Sequence, residues 1–452
     1  MELYIHIPFC VRKCHYCDFL SFPCGTVQTG GEGTAAQQCG ADRMAAYTDA
    51  LCRELELLEN RYGRTCFDTA FIGGGTPSVM PTELMERILA SADRLMAVRS
   101  ADFEYTIECN PGTVDREKLE LYRRHGINRI SFGLQSTDDT ELNTLGRIHS
   151  YEDFLSSYRM AVDAGFDNIN VDLISAVPGQ TLQSWQRTLK RVATLGPAHI
   201  SAYSLIIEPG TGFWDMYGED ASEALPGILP LPDEDTERAM YAETARILGE
   251  NGYKRNEISN YARPGRECRH NLGYWTGEEY LGAGLGASSY IRLPGEVCNM
   301  LRYKNTDAPE FYIRELTGQG CYEDAECDSD KPAGVVSDSA SSVSAVSNSA
   351  SSSGSVSGSA ISSPTCASIT CDEEIIDRAG QMEEYMILHL RLKRGADIAE
   401  FRDRFGTELL TRYGSVIAKY IDLGLMKNTD GHIYLTDEGL DVSNTVMADF
   451  CG

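Results

Sequence analysis

Six apolar runs recur along the first two hundred residues, mostly at intervals of about thirty, and helical patterns fill the gaps. The runs are Leu3–Ile7, Thr69–Ile72, Phe103–Ile107, Ile127–Phe132, Ile169–Ile174 and His199–Ser204. The intervals hold amphipathic stretches at Arg43–Asn60, Thr82–Leu95, Asp115–Arg124, Tyr151–Ala164 and Leu182–Leu195. In the last of these, Leu182, Trp185, Leu189 and Val192 share one helical face. Such alternation lays the strands parallel and uses the helices as crossovers. Six units fall short of the eight that close a barrel. The expected fold is therefore α/β, an open partial (β/α)6 TIM-type barrel over residues 1–210.

In such a barrel, function gathers at the C-terminal ends of the strands. The first run, ended by Pro8, leads directly into F-C-V-R-K-C-H-Y-C. Cys10, Cys14 and Cys17 stand there at the spacing CxxxCxxC. Three thiolates so spaced can each hold one iron of a 4Fe-4S cubane, leaving one iron open to a small molecule. Structural zinc prefers two separated cysteine pairs, and no fourth ligand is evident nearby. Fifteen cysteines without a visible signal peptide speak for a reducing, cytoplasmic compartment and metal chemistry, not for disulfides. No run approaches the ~18 apolar residues of a membrane span. A formal net charge of −27 repels nucleic acid, and Lys and Arg occur only in short groups such as Arg263, Arg266 and Arg269. Cys24 and Cys39, in the Gly-, Thr- and Gln-containing stretch Pro23–Asp42, read as isolated thiols of a surface loop.

Other conspicuous residues also fall at strand ends. Gly73-Gly74-Gly75-Thr76-Pro77 follows the second run, where glycines allow close backbone approach and free N–H groups can bind a carboxylate. Glu108 ends the third, before Asn110-Pro111. Gln135 follows the fourth, Arg147 lies in L-G-R-I-H, and Asp172 interrupts the fifth. Gathered on one rim, they suit a zwitterionic, ribose-bearing ligand, with donors for a carboxylate and acceptors for an amine and hydroxyls.

The segments I-H-I-P-F-C, G-G-G-T-P, I-E-C-N-P, S-F-G-L-Q-S, L-G-R-I-H and V-D-L-I-S-A-V-P-G-Q-T carry a family resemblance. Residues 1 to about 320, and again 373–452, resemble the coproporphyrinogen dehydrogenase-like branch of the radical S-adenosylmethionine (SAM) superfamily. The resemblance implies that Cys10, Cys14 and Cys17 bind the cluster, with SAM on the open iron. It implies that Tyr4, Tyr16, Gly74, Gly75, Thr76 and Glu108 line one SAM position. In the dehydrogenases, residues matching Gln135, Arg147, Asp172 and Ile206 bind a second. Those enzymes carry a fourth cysteine, CxxxCxxCxC, and an N-terminal extension. Here Phe19 takes the fourth position, and nine residues precede Cys10. Both departures are similar to the radical SAM heme chaperones of the HemW type, which bind heme and pass it to acceptor proteins. The alternative is an oxygen-independent coproporphyrinogen III dehydrogenase. A nucleic-acid-modifying radical SAM enzyme is disfavoured by the acidic charge. Whether the chain is an enzyme stays open at this level.

A second constellation lies in residues 211–322, an expected barrel extension. His270-Asn-Leu-Gly-Tyr274-Trp275 is an HNxxYW pattern. A neutral imidazole is a common heme-iron ligand, and Tyr and Trp offer flat faces to a porphyrin. By resemblance, His270 is the expected heme ligand; Cys268 is an alternative thiolate. The Gly-rich run Leu281–Ser289 should pack backbone close to a ligand or to the barrel. Between Ser337 and Ser363, 15 of 27 residues are serine, so residues 323–372 read as a disordered linker. Residues 373–452 show three helical stretches and an Asn428–Gly431 hairpin turn, a winged-helix-like α+β domain. Residues 377–452 carry 9 Lys/Arg against 13 Asp/Glu, which disfavours DNA reading and fits a lid or docking surface. The expected partners are heme and an acceptor protein. A homodimer and a peripheral membrane association stay open.

Overall fold

The computed structural model describes residues 1–24, 35–219, 228–293, 299–318 and 368–451, with side chains of the first helix from residue 40 onward. The serine-rich stretch lies outside the described residues. Six parallel strands form the centre: β1 (Glu2–Ile7), β2 (Phe67–Gly74), β3 (Arg99–Cys109), β4 (Arg129–Gln135), β5 (Asn168–Ser175) and β6 (His199–Ser204). Each pairs in parallel with the next in chain order, and β6 does not pair with β1. The chain thus forms the partial (β/α)6 barrel, open on one side.

The crossover helices Thr82–Leu95 and Leu182–Leu195 have the bounds their apolar spacing dictates. Asp115 and Thr181 cap the starts of Arg116–Arg124 and Leu182–Leu195 by accepting backbone N–H bonds. The first helix runs Ala35–Tyr62, so the expected loop through Asp42 is helical from Ala35. Strands β2 and β3 outrun their apolar cores because pairing continues into polar and glycine residues. Leu3, Ile5 and Ile7 point outward into the packed layer under these helices, with Ala70, Ile72, Ile130 and Val171.

The sheet does not stop at six strands. Beyond β1 come Tyr280–Ala283, parallel to it, then antiparallel Ser288–Arg292, Met300–Asn305 and Thr370–Ile376. Beyond β6 come antiparallel Asn260–Ala262 and Lys254–Arg255. The Gly-rich run therefore packs on the barrel, as a strand beside β1. Thr370–Ile376 crosses the expected boundary at 372/373 and ties the last segment to the same sheet. That segment has its own core, built from Met386, Leu390, Phe401, Tyr413, Ile433 and Val446 among others. Its helices are Arg378–Arg391, Ile398–Phe405 and Leu409–Asp422, followed by the hairpin Met426–Thr429 and His432–Leu435 and two short helices. Gly406, at positive φ, ends the second helix.

Candidate functional site

Alternate residues of the barrel strands face the lumen, and that inward row is polar. It includes Tyr4, His6, Glu108, Arg129, Ser131, Asn170, Asp172 and Ser201, which line one cavity of about 1990 Å3. The apolar spacing of the strands reports their outward face, so most of this row (His6, Arg129, Ser131, Asn170 and Ser201) went unread in the sequence, while Tyr4, Glu108 and Asp172 were singled out. Its signal was there as period-two polar residues, E-L-Y-I-H in β1 and E-Y-T-I-E in β3.

At the C-terminal rim, the cysteine loop is pinned from several sides. Cys10 ends the two-residue strand Phe9–Cys10, which pairs with Phe22–Pro23. Gly75 N–H donates to Ile7 O at 2.8 Å and Thr76 N–H to Phe9 O at 2.7 Å. Gly74 N–H is given to Glu108 Oε2 at 3.2 Å. These three N–H groups, expected to be free for a ligand carboxylate, are thus spent on the protein. The glycine-rich turn instead fixes the cysteine loop against β2. Gly74 has φ of +107°, and a Cβ there would lie 2.5 Å from His6 Nδ1. His6 Nε2–H donates to Leu20 O at 2.8 Å, and its Nδ1 takes the Tyr4 hydroxyl at 3.0 Å. Burial pushes His6 down to about 4, so this ring is a neutral strut.

The other side of the loop meets Arg147. Its Nη1 lies 3.6 Å from Cys14 Sγ, and its Nη2 donates to Asn110 Oδ1 and Gly133 O at 2.6 and 2.7 Å. The Tyr16 hydroxyl faces the same guanidinium. A Cβ on Gly133 would lie 3.0 Å from Asn110 Oδ1 and from Gln135 Nε2, and 3.4 Å from Arg147 Nη2. Asn110, Gln135 and Arg147 therefore converge above β4. Gln135 holds φ of +72°, a left-handed conformation rare for a side chain of its kind and frequent at functional strand ends. Thr76 Oγ1 links Cys10 Sγ at 3.4 Å to Asn110 Nδ2 at 2.8 Å.

Burial raises the Cys10 thiol and pushes Cys17 up to about 12, with Cys14 adding to both. Thiols so placed ionise only when a cation compensates them, which is what iron supplies. Among the described residues no three His, Cys, Asp or Glu side chains converge as a single-ion site. A four-iron cluster makes no such demand, because each thiolate takes a different iron. The donor set therefore fits a cluster better than zinc. Cys24, expected at the surface, is buried and gives its Sγ–H to Cys10 O at 3.1 Å. It belongs to the support of the loop. The side chain of Cys39 lies outside the described residues.

Beneath the rim, Asp172 accepts from Ser131 Oγ at 2.9 Å and Asn170 Nδ2 at 2.7 Å. Burial pushes Glu108 up to about 8, with the Asp172 carboxylate adding to it, and burial raises Asp172 as well. A cationic ligand entering here would restore both charges. Arg129 is buried deep in the lumen, with long 3.5 Å contacts to Thr106 Oγ1 and His199 Nδ1.

The HNxxYW helix, Arg269–Thr276, closes the opposite, N-terminal end of the barrel. Glu104, midway along β3, accepts from Arg269 N–H and His270 N–H, each at 3.2 Å. Gly273 lies over Glu2, where a Cβ would fall on the carboxylate. His270 sits inside, stacked on Phe71 at 5.2 Å between ring centres. Its Nδ1 bonds Thr69 Oγ1 at 2.7 Å and its Nε2 bonds the Tyr274 hydroxyl at 3.0 Å. Burial pushes it down to about 3, so it stays neutral. Both nitrogens are thus engaged, and iron ligation at Nε2 requires the Tyr274 hydroxyl to turn aside. Cys268 gives its thiol to Glu104 Oε1 at 3.5 Å, and burial holds it protonated, so it does not serve as a ready thiolate. Arg404 of the C-terminal segment donates to Thr276 O and Gly277 O at 3.0 and 3.1 Å, and so braces the helix end. Glu104, Thr69 and Arg404 were missed in the sequence, since each meets its partner across more than a hundred residues.

Comparison with known proteins bears on both constellations. The radical SAM superfamily pattern matches residues 4–192, and the HemN C-terminal domain matches residues 376–442. The heme chaperone HemW of Bacillus subtilis is 30% identical over 450 residues, covering 99% of this chain and 98% of that protein. The Lactococcus lactis HemW is 31% identical, covering 99% and 96%. The Escherichia coli HemW is 34% identical over 335 residues, covering 74% and 80%. Among solved structures, the coproporphyrinogen III oxidase of Escherichia coli, a radical SAM enzyme, superimposes with a TM-score of 0.73 at 20% identity, covering 99% of this chain and 89% of that one. At that identity the likeness speaks for the fold alone.

Proposed function

The chain belongs to the HemW family of heme chaperones, and from that premise we propose how its residues serve the role. The protein binds heme and hands it to an acceptor protein, and it carries a 4Fe-4S cluster with SAM. We assign the cluster to Cys10, Cys14 and Cys17. When bound, the cluster supplies an open iron for SAM and a store of electrons. Tyr4, Gly74 and Glu108 offer the SAM side of the lumen, with Tyr16, Gly75 and Thr76 behind them. Glu108 takes the ligand's ammonium, because its raised proton affinity makes it a carboxylate only beside a cation. Gln135 and Arg147 form the further polar group on the same rim, with Asp172 beneath it. The cysteine content supports a reducing, cytoplasmic setting.

One observation carries the heme assignment. The cavity of about 1990 Å3 runs from Glu108 beneath the cluster loop to His270, Tyr274 and Trp275 on the floor helix. A single space therefore serves both constellations. When the Thr69 hydroxyl is given to Glu2, His270 Nδ1 donates and Nε2 carries the lone pair that iron needs. Heme enters against Tyr274, displaces its hydroxyl from Nε2 and binds His270.

The test is anaerobic titration of the cluster-reconstituted protein with heme, followed by absorption, for wild type and His270→Ala. Stoichiometric uptake with a Soret band altered in the variant is expected. No uptake by protein with an intact cluster overturns the reading. Formation of protoporphyrinogen from coproporphyrinogen under reducing conditions would instead favour the dehydrogenase.

A further inference from the structure

Arg391 ends the helix Arg378–Arg391 of the C-terminal segment and reaches the cavity beside the HNxxYW helix. Its guanidinium carbon stands 4.6 Å from the centre of the Trp275 ring. The side chain is half-buried, and among the described residues it makes no hydrogen bond or ion pair. Its Nε is shut off from solvent with no acceptor. Glu257 is the acidic group that acts on it, but that carboxylate accepts from Ser259 N–H at 2.8 Å and Asn260 Nδ2 at 2.6 Å and makes no ion pair with Arg391. An arginine Nε–H withdrawn from water without an acceptor is costly unless a ligand provides one.

Trp275 supplies a second, independent observation. It is 6% exposed, its indole N–H has no acceptor, and it lines the same cavity. Two buried N–H donors, Arg391 Nε and the Trp275 indole, thus share a wall with no protein acceptor. The planar fork of an arginine matches a carboxylate, and the indole N–H adds orientation.

We propose that Arg391 and Trp275 form a carboxylate site that takes a propionate of the bound heme. The inference rests on the heme-chaperone reading. Heme carries its two propionates on one edge of an otherwise apolar ring. The iron-side groups, His270 and Tyr274, and the carboxylate site then lie at one helix, Arg269–Thr276, with Arg391 contributed from the C-terminal segment. That segment becomes part of the heme site, so it is more than a cover over it.

The test compares heme with heme dimethyl ester, whose propionates are uncharged, on the full-length, cluster-reconstituted protein. Wild type should bind the free acid about tenfold or more tightly than the diester. Arg391→Met should bind both alike, near the affinity of the wild type for the diester. Trp275→Phe keeps the ring that Arg391 stacks on but removes the N–H, and should narrow the preference by about 2–5-fold. Thermal melting of each variant checks folding, and Trp275→Phe carries the test if Arg391→Met melts out. Equal binding of acid and diester by wild type, or an undiminished preference in both variants, overturns the site. A parallel titration with SAM separates the other carboxylate source. If Arg391→Met loses SAM while keeping the heme preference, the site belongs to SAM and the proposal fails. No heme uptake by wild type would remove the chaperone reading and the site with it, whereas uptake without acid preference removes the site alone.

Discussion

Arg147 Nη1 lies 3.6 Å from Cys14 Sγ, while the other arm of the same guanidinium holds Asn110 and the Gly133 carbonyl. A residue 133 positions away thereby sets the middle cysteine of the cluster loop.

Arg147→Met should remove that brace. Two charge-assisted bonds to partly buried partners vanish, at a cost of about 2–4 kcal/mol in the apoprotein. The urea midpoint reads that loss. Iron bound per protein after anaerobic reconstitution should also fall, toward the level of Cys14→Ser. Wild-type iron content in Arg147→Met would remove the guanidinium from the support of the loop.

Gly74→Ala should be more damaging than its single methyl suggests. The residue holds φ of +107°, and the new Cβ would meet the His6 ring. The strain and the clash together should exceed about 2 kcal/mol. Displacing His6 also frees the Leu20 carbonyl beyond the last cysteine, so SAM binding should weaken in calorimetry. An unchanged melting temperature would contradict this account.

Glu104→Gln tests the anchoring of the floor helix. The carboxylate accepts the first N–H groups of Arg269–Thr276, an arrangement worth about 1–2 kcal/mol. The variant should retain its cluster and lose heme affinity by several fold. Equal loss of both would mean that the barrel itself had been harmed.

Glu54 gives the protein a pH-dependent weakness remote from the site. It is buried, accepts from Tyr312 OH and Asn305 Nδ2, and is pushed up to about 7 by burial. A carboxyl raised above its unfolded value of 4.5 favours the folded state below that value, and the advantage is lost as pH rises through about 7. The shift corresponds to about 3 kcal/mol of stability lost between pH 4.5 and 7. Denaturant unfolding across that range should show the decline, and Glu54→Gln should flatten it. A slope unchanged in the variant would assign the decline to other groups.

Much of this molecule is legible locally. The hydrophobic spacing of Leu182–Leu195 and the capping residue Thr181 define that helix almost unaided, and the six strand–helix repeats follow the same logic. Cys10, Cys14 and Cys17 announce their chemistry because ligands a few residues apart are necessarily neighbours. Less was legible where side chains meet across the lumen. Apolar spacing marks the outward face of each strand, so Arg129, Asn170 and His199 on the inner face were hidden inside apolar runs. The glycine-rich turn was seen, but its N–H groups were expected to be free, and only the register of β1 against β2 shows them spent on Ile7, Phe9 and Glu108.

The sequence by itself determined which residues could hold a cluster, which stretches would form strands and helices, and that an HNxxYW pattern needed explaining. Those are properties of spacing and of side-chain chemistry, and they need no partner further along the chain. Tertiary structure alone decided that Thr69 and Tyr274 occupy both nitrogens of His270, that Glu104 caps the floor helix, and that Arg391 arrives unpaired beside Trp275. The physical reason is closure. Burial and hydrogen-bond partnership depend on which strands come to face one lumen, and the partners there are separated by as many as 201 residues.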